Sequence, residues 1–134
     1  MKQYTTPEQT AKLIELGFEK PKSISGYCQC GPYEYDAETN TKMVVYDDTQ
    51  YPIYAYSIGE LIEMLPRCIE SRCSDEAALE ISYDSQDFEW YCGHRWVYNS
   101  GWRRFNGNYK TCDDKELIDA LYRYIVALKE EGVI

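Results

Sequence analysis

Hydrophobic positions change their period several times along the chain, and each change marks an element. Leu13, Ile14 and Leu16 form the first apolar face at helical spacing. Ahead of them stand Thr6, Pro7 and Gln9: an N-cap, a proline at the first helical position and a capping-box partner, which together satisfy N–H groups that the first turn leaves unpaired. Gly17 supplies a left-handed stop and Pro21 closes the segment. Ser57 and Glu60 repeat the box before Leu61, Ile62, Met64 and Leu65, and Pro66 ends that helix or follows it closely. Asp113 and Glu116 have the same spacing ahead of the longest amphipathic run, where Leu117, Leu121, Tyr124, Ile125 and Leu128 recur on one face until Gly132.

Between these helices the period falls to two. KMVVY (Lys42 to Tyr46) and the stretch PIYAYSI from Pro52 read as a strand pair joined by a polar DDTQ turn. LEISY and FEWYC read as strands linked by DSQD, followed by RWVY, the turn NSG, WRRF, the strong turn signal Asn106-Gly107, and NYKT. Residues 22–41 fit two readings equally, a further strand pair around Gly31-Pro32 or a loop. Hairpin links without alternating strand–helix crossovers argue against a parallel sheet. The expected fold is a single α+β domain over residues 1–134. It has an antiparallel sheet of four to six strands with three helices packed on it, in the order helix, two strands, helix, strand meander, helix.

Composition narrows the function classes. At 134 residues, 44% of them hydrophobic, the chain has enough apolar material for a core. A net charge of −9 opposes non-specific attraction to nucleic acid or an anionic membrane. The N-terminal MKQYTTPEQ lacks the apolar stretch of an export signal, and no apolar run approaches the roughly 20 residues that span a bilayer. Six cysteines without an export signal are expected to be reduced thiols in the cytoplasm.

Chemistry-bearing motifs are incomplete. Cys28 and Cys30 form C-x-C without a second pair at zinc-ligand spacing, and Cys68 and Cys73 do not share a helix face. Glu34, Asp36 and Glu38, and the Asp47-Asp48 pair, lack the convergent oxygens of a calcium loop. Glycine patterns for phosphate and serine-nucleophile elbows are absent. Cys92 and His94 share a strand face about 6.6 Å apart, where a thiol beside an imidazole could make a nucleophile. With one histidine in the chain, a structural place among aromatic neighbours is the expected outcome. No catalytic residue, metal ligand or cofactor is assigned.

One stretch stands apart. Trp90 to Cys112 holds all three tryptophans, the histidine and four Lys or Arg residues without a carboxylate, so a chain of net −9 carries −13 outside it. In extended conformation Phe88, Trp90, Cys92, His94, Trp96 and Tyr98 form one apolar row under a helix, with Glu89, Tyr91, Arg95 and Val97 opposite. Arg103 and Arg104 lie between Trp102 and Phe105. The candidate binding surface is therefore Arg95, Trp102, Arg103, Arg104, Phe105 and Lys110, which suit a phosphate, a base or a carboxylate. Pairing of these arginines with the acidic helix starts is the competing internal use.

MKQYTTPEQTAKLIELGFEKP, YSIGELIEMLPRCI and DDKELIDALYRYIVALKEEGVI, with the WYCG strand, resemble segments of small uncharacterised proteins of gut Bacteroidetes genomes, prophages and phages. That resemblance covers most of the chain and carries no catalytic signature. It implies an intracellular accessory protein of a mobile element, with no activity, cofactor or site residue to transfer. The six cysteines and the SGWRRFNGNYK segment match no shared pattern. The expected function is non-enzymatic binding of a host or phage macromolecule, with nucleic acid and membrane disfavoured by charge. Two alternatives are a protein or enzyme for a small phosphorylated or nucleotide ligand at the basic aromatic segment, and an acidic mimic of nucleic acid.

Overall fold

In a computed structural model the backbone is described for residues 1–36, 41–70, 76–97 and 104–134, with side chains for 1–29, 49–69, 77–94 and 112–134. Helix α1 spans Pro7–Glu15: Thr6 Oγ1 accepts from the Gln9 amide at 3.2 Å and Gln9 Oε1 accepts from the Thr6 amide at 3.0 Å. Gly17 then takes φ 100°, the left-handed stop that a side chain would strain. Helix α2 spans Ile58–Met64, with Ser57 and Glu60 bonded reciprocally at 3.2 Å in each direction. Leu65 is already extended, as the residue before Pro66 should be.

The third helix, α3, spans Leu117–Glu130 and starts later than the Asp113–Glu116 spacing suggests. Asp113 and Asp114 stay in the sheet opposite Tyr91 and Trp90, so the cap position falls to Glu116, which makes no side-chain cap bond. Asp114 Oδ1 instead accepts from the Glu116 amide at 3.1 Å. Sheet pairing has displaced a local helix signal.

Among the described residues six strands complete an α+β fold: β1 (Ile24–Asp36), β2 (Thr41–Tyr54), β3 (Cys68–Glu70), β4 (Glu76–Asp84), β5 (Glu89–Val97) and β6 (Arg104–Asp114). All pairings are antiparallel. β3-β4-β5-β6 form a four-stranded meander and β1-β2 a separate two-stranded ribbon. The order of helices and strands is the expected one, but three stretches that read as turns are interruptions within longer strands. DDTQ is a bulge of β2: between the Cys28–Tyr51 and Cys30–Tyr46 pairs, Gln29 alone stands opposite Asp47 to Gln50. Of residues 22–41, those from Ile24 to Asp36 are β1, one strand that shifts register at Ser25 and again at Gly31-Pro32, which bulges opposite Val45. Proline has no N–H to give the ladder, and a bulge tolerates that loss.

The meander repeats the lesson. β5 is continuous where FEWYC and RWVY read as two strands, and Asn106-Gly107 lies inside β6. Trp96 alone faces Phe105 to Gly107, so the Asn-Gly pair bulges the strand rather than reversing it. The expected turn at Asn99 to Gly101 lies outside the described residues. Phe88 does not join the apolar row of β5. It ends the β4–β5 turn at φ 55° and is exposed, while Asp84 Oδ1 accepts from the Gln86 amide at 2.9 Å to hold that turn.

The core lies between the meander and the helices. Seven buried residues of α3 pack with Leu13, Tyr56, Leu61, Leu65 and Cys92 in one cluster. Burying such side chains is worth about 1.5–3 kcal/mol each. The ribbon is tied in at its base, where the Ala55 amide donates to Ser23 O at 3.1 Å, the Thr5 amide to Tyr56 O at 3.0 Å and the Tyr56 amide to Thr5 Oγ1 at 3.0 Å.

Candidate functional site

His94 is wholly buried and both its nitrogens are taken. Nε2 lies 2.7 Å from Pro66 O, and Nδ1 meets the Tyr124 hydroxyl. A carbonyl can only accept, so Nε2 carries the proton and Nδ1 accepts from Tyr124. Burial lowers the imidazole pKa and outweighs the opposing bond to Pro66. Cys92, also wholly buried, is pushed up to about 12 by burial, with Cys112 adding to the effect. At neutral pH this is a thiol and a neutral, fully bonded ring closed off from solvent. The pair joins β5 to α3 and to the Pro66 turn; it does not present an activated nucleophile.

The candidate binding residues of the basic stretch are distributed over β5, β6 and the connection between them. Arg95 occupies β5 opposite Asn108. Arg104 begins β6 opposite Val97, and Phe105 and Lys110 follow in the same strand. Backbone pairing thus brings Arg95 and Arg104 onto neighbouring strands, at the end of the meander remote from the start of α3. Trp102 and Arg103 lie outside the described residues, as do Glu38, Cys73 and Tyr98. The acidic start of α3 has its own basic and polar neighbours: Lys2 Nζ is 3.1 Å from Asp119 Oδ1, Gln9 Nε2 donates to Asp119 at 2.7 Å, and Arg123 Nη1 is 3.6 Å from Asp114.

A second surface was invisible in the sequence because its residues come from distant segments. Ile14 on α1 is 37% exposed, Ile53 and Tyr54 on β2 are 37% and 52%, and Ile24 and Tyr27 on β1 are 38% and 61%. Ile24 is paired with Tyr54, and Tyr27 with Pro52, at the base of the ribbon. A groove of about 440 Å³ runs there between Pro7, Ala11 and Ile14 on one wall and Ile53 and Tyr54 on the other. A neighbouring hollow of about 310 Å³ shares Thr10, Ile14 and Tyr54 and reaches Lys20 and Pro21. Single exposed apolar residues are ordinary, whereas Ile14, Ile53 and Tyr54 share one concave junction. The exposed position of Ile14, beside buried Leu13 on α1, is the one local hint.

Glu60 of α2 fastens the segment that leads into β1. Its carboxylate accepts from the Lys22 amide at 3.0 Å, from Ser23 Oγ and from Ser57. Burial opposes its ionisation, yet these bonds prevail and hold the carboxyl below its usual range. They pin the entry to the ribbon onto α2.

Among the described residues, no group of three or more His, Cys, Asp or Glu side chains is arranged to hold a metal ion, and no helix is long and apolar enough to cross a membrane. Comparison with protein families, with curated proteins and with solved structures finds no match.

Proposed function

We propose that the chain is a non-catalytic cytoplasmic interaction module, an accessory protein of a phage or mobile element, that binds a protein partner through the junction of α1 and the ribbon. The observation that carries this reading is the groove lined by exposed Ile14, Ile53 and Tyr54, with exposed Ile24 on the strand paired to Tyr54. An apolar side chain of a partner seated there would leave water at about 25 cal/mol per Å². Lys20 at the rim offers an ion pair to a carboxylate beside that side chain. The use of His94 and Cys92 as core groups agrees with a non-catalytic role.

A second reading places the contact at the basic aromatic segment. It is favoured by the β5–β6 register, which sets Arg95 and Arg104 on adjacent strands. A phosphorylated or nucleotide ligand would suit that end of the sheet, whereas mimicry of nucleic acid would use the acidic remainder.

Affinity capture from host lysate separates these readings. Wild-type protein, Ile53→Ser with Tyr54→Ser, and Arg103→Ala with Arg104→Ala are compared at low and high salt. Loss of one captured protein with the Ile53/Tyr54 variant alone, at both salt concentrations, is the expected result. Loss with the double-arginine variant, sensitive to salt, would transfer the site to the meander. An unchanged capture profile for both variants would refute both surfaces.

A further inference from the structure

The sequence contains six cysteines, and among the described residues the strand register sets two of them directly opposite one another: Cys92 in β5 and Cys112 in β6. Cys28 stands opposite Tyr51, Cys30 opposite Tyr46 and Cys68 opposite Ala78. Directly opposed residues of an antiparallel pair hold their Cβ atoms roughly 4.5–5.5 Å apart. A disulfide needs about 3.5–4.5 Å, so a small closing movement of β6 joins them. Both are thiols in this structure, Cys92 in the core and Cys112 partly exposed. β6 is an edge strand of the meander and β5 an inner one, and Cys112 is partly exposed where Cys92 is buried, so a reagent reaches Cys112 first.

We infer that Cys92 and Cys112 are a cross-strand redox couple, oxidised to a disulfide by exchange with a small-molecule disulfide of the glutathione type. The Cys112 thiolate attacks one sulfur of the small disulfide, breaks its S–S bond and expels one small thiolate, which leaves a mixed disulfide on Cys112. Cys92 then gives up its proton, attacks Cys112 Sγ, forms the protein disulfide and expels the second small thiolate. Two electrons pass from the cysteines to the small disulfide, and the two thiol protons end on two small thiols. The second step is the slow one, because burial disfavours the Cys92 thiolate. Formation of the mixed disulfide removes the charge on Cys112 that adds to that effect. The new bond closes the chain between positions 92 and 112 and so encloses Arg95, Trp102, Arg103, Arg104, Phe105 and Lys110.

The test equilibrates the whole chain with excess oxidised over reduced glutathione, then alkylates, digests and maps the peptides by mass. The expected product is a monomeric chain with a peptide linking Cys92 to Cys112. Its melting temperature should be higher by on the order of 10 °C, a shift abolished by Cys112→Ser. A chain with the other four cysteines changed to serine should give the same link. Recovery of both wild-type residues in alkylated form, bonded to other cysteines, or with Cys112 held as a lasting glutathione adduct would overturn the inference. Because the wild-type map decides, the result does not depend on any variant folding.

Discussion

His94 holds one protonation state because each of its nitrogens faces a partner with a fixed role. Pro66 O demands a donor and the Tyr124 hydroxyl supplies a proton. Removing that hydroxyl with Tyr124→Phe leaves Nδ1 a buried acceptor without its bond, at a cost of about 1–3 kcal/mol in urea unfolding at neutral pH. The same geometry makes stability depend on pH. The unfolded imidazole takes up a proton near its ordinary value of 6.5, whereas the folded ring resists until lower pH. Below the unfolded value the unfolded state therefore binds more protons, and stability declines as pH falls; above it the contribution is complete. The urea midpoint should drop between about pH 7.5 and about pH 5.5, before Glu60, whose depressed pKa acts only at more acid values, begins to count. A midpoint that stays level over that interval would contradict the buried neutral ring.

At the scale of elements, the signals that succeeded were those completed within a few residues. Thr6 with Gln9 and Ser57 with Glu60 close their boxes locally, and Gly17 needs nothing beyond its own backbone. The signals that misled depended on a partner strand. Polar DDTQ, Gly31-Pro32 and Asn106-Gly107 all announce a break in a ladder, and a break occurs at each. Whether the chain reverses there or bulges and continues is decided by what lies opposite, which local composition does not encode. Asp113 shows the same competition from the helix side, since pairing with Tyr91 outweighs a cap whose spacing was correct. That ranking has a measurable consequence. Asp113→Ala should change stability by less than about 0.5 kcal/mol. Asp114→Ala, which loses the bond to the Glu116 amide and the Arg123 ion pair, should cost about 1 kcal/mol in the same denaturation assay.

Over the whole molecule, apolar exposure gathers at a place that a linear reading does not point to. The basic aromatic segment was legible because its residues are neighbours in sequence. The apolar junction was not, because Ile14 and Tyr54 are forty positions apart and meet only when the ribbon docks beside α1. The ribbon itself carries devices that discourage edge-to-edge association: three register shifts, Pro32 and Pro52, and the acidic Asp47-Asp48 pair. Its exposed base is therefore better suited to a side-chain contact than to open-ended strand addition. Ile53→Ser with Tyr54→Ser, the variant used for capture, should leave the melting temperature within a few degrees of wild type, since both side chains already meet water.

The concentration of buried side chains in α3 also orders events in time. A ribosome releases α2 and the meander before the helix that roofs them, so Leu61, Cys92 and His94 emerge without a lid and Tyr124 is not yet present to bond the imidazole. Until α3 follows, the nascent chain displays a greasy face to chaperones and proteases, and the core is complete only once α3 packs on it.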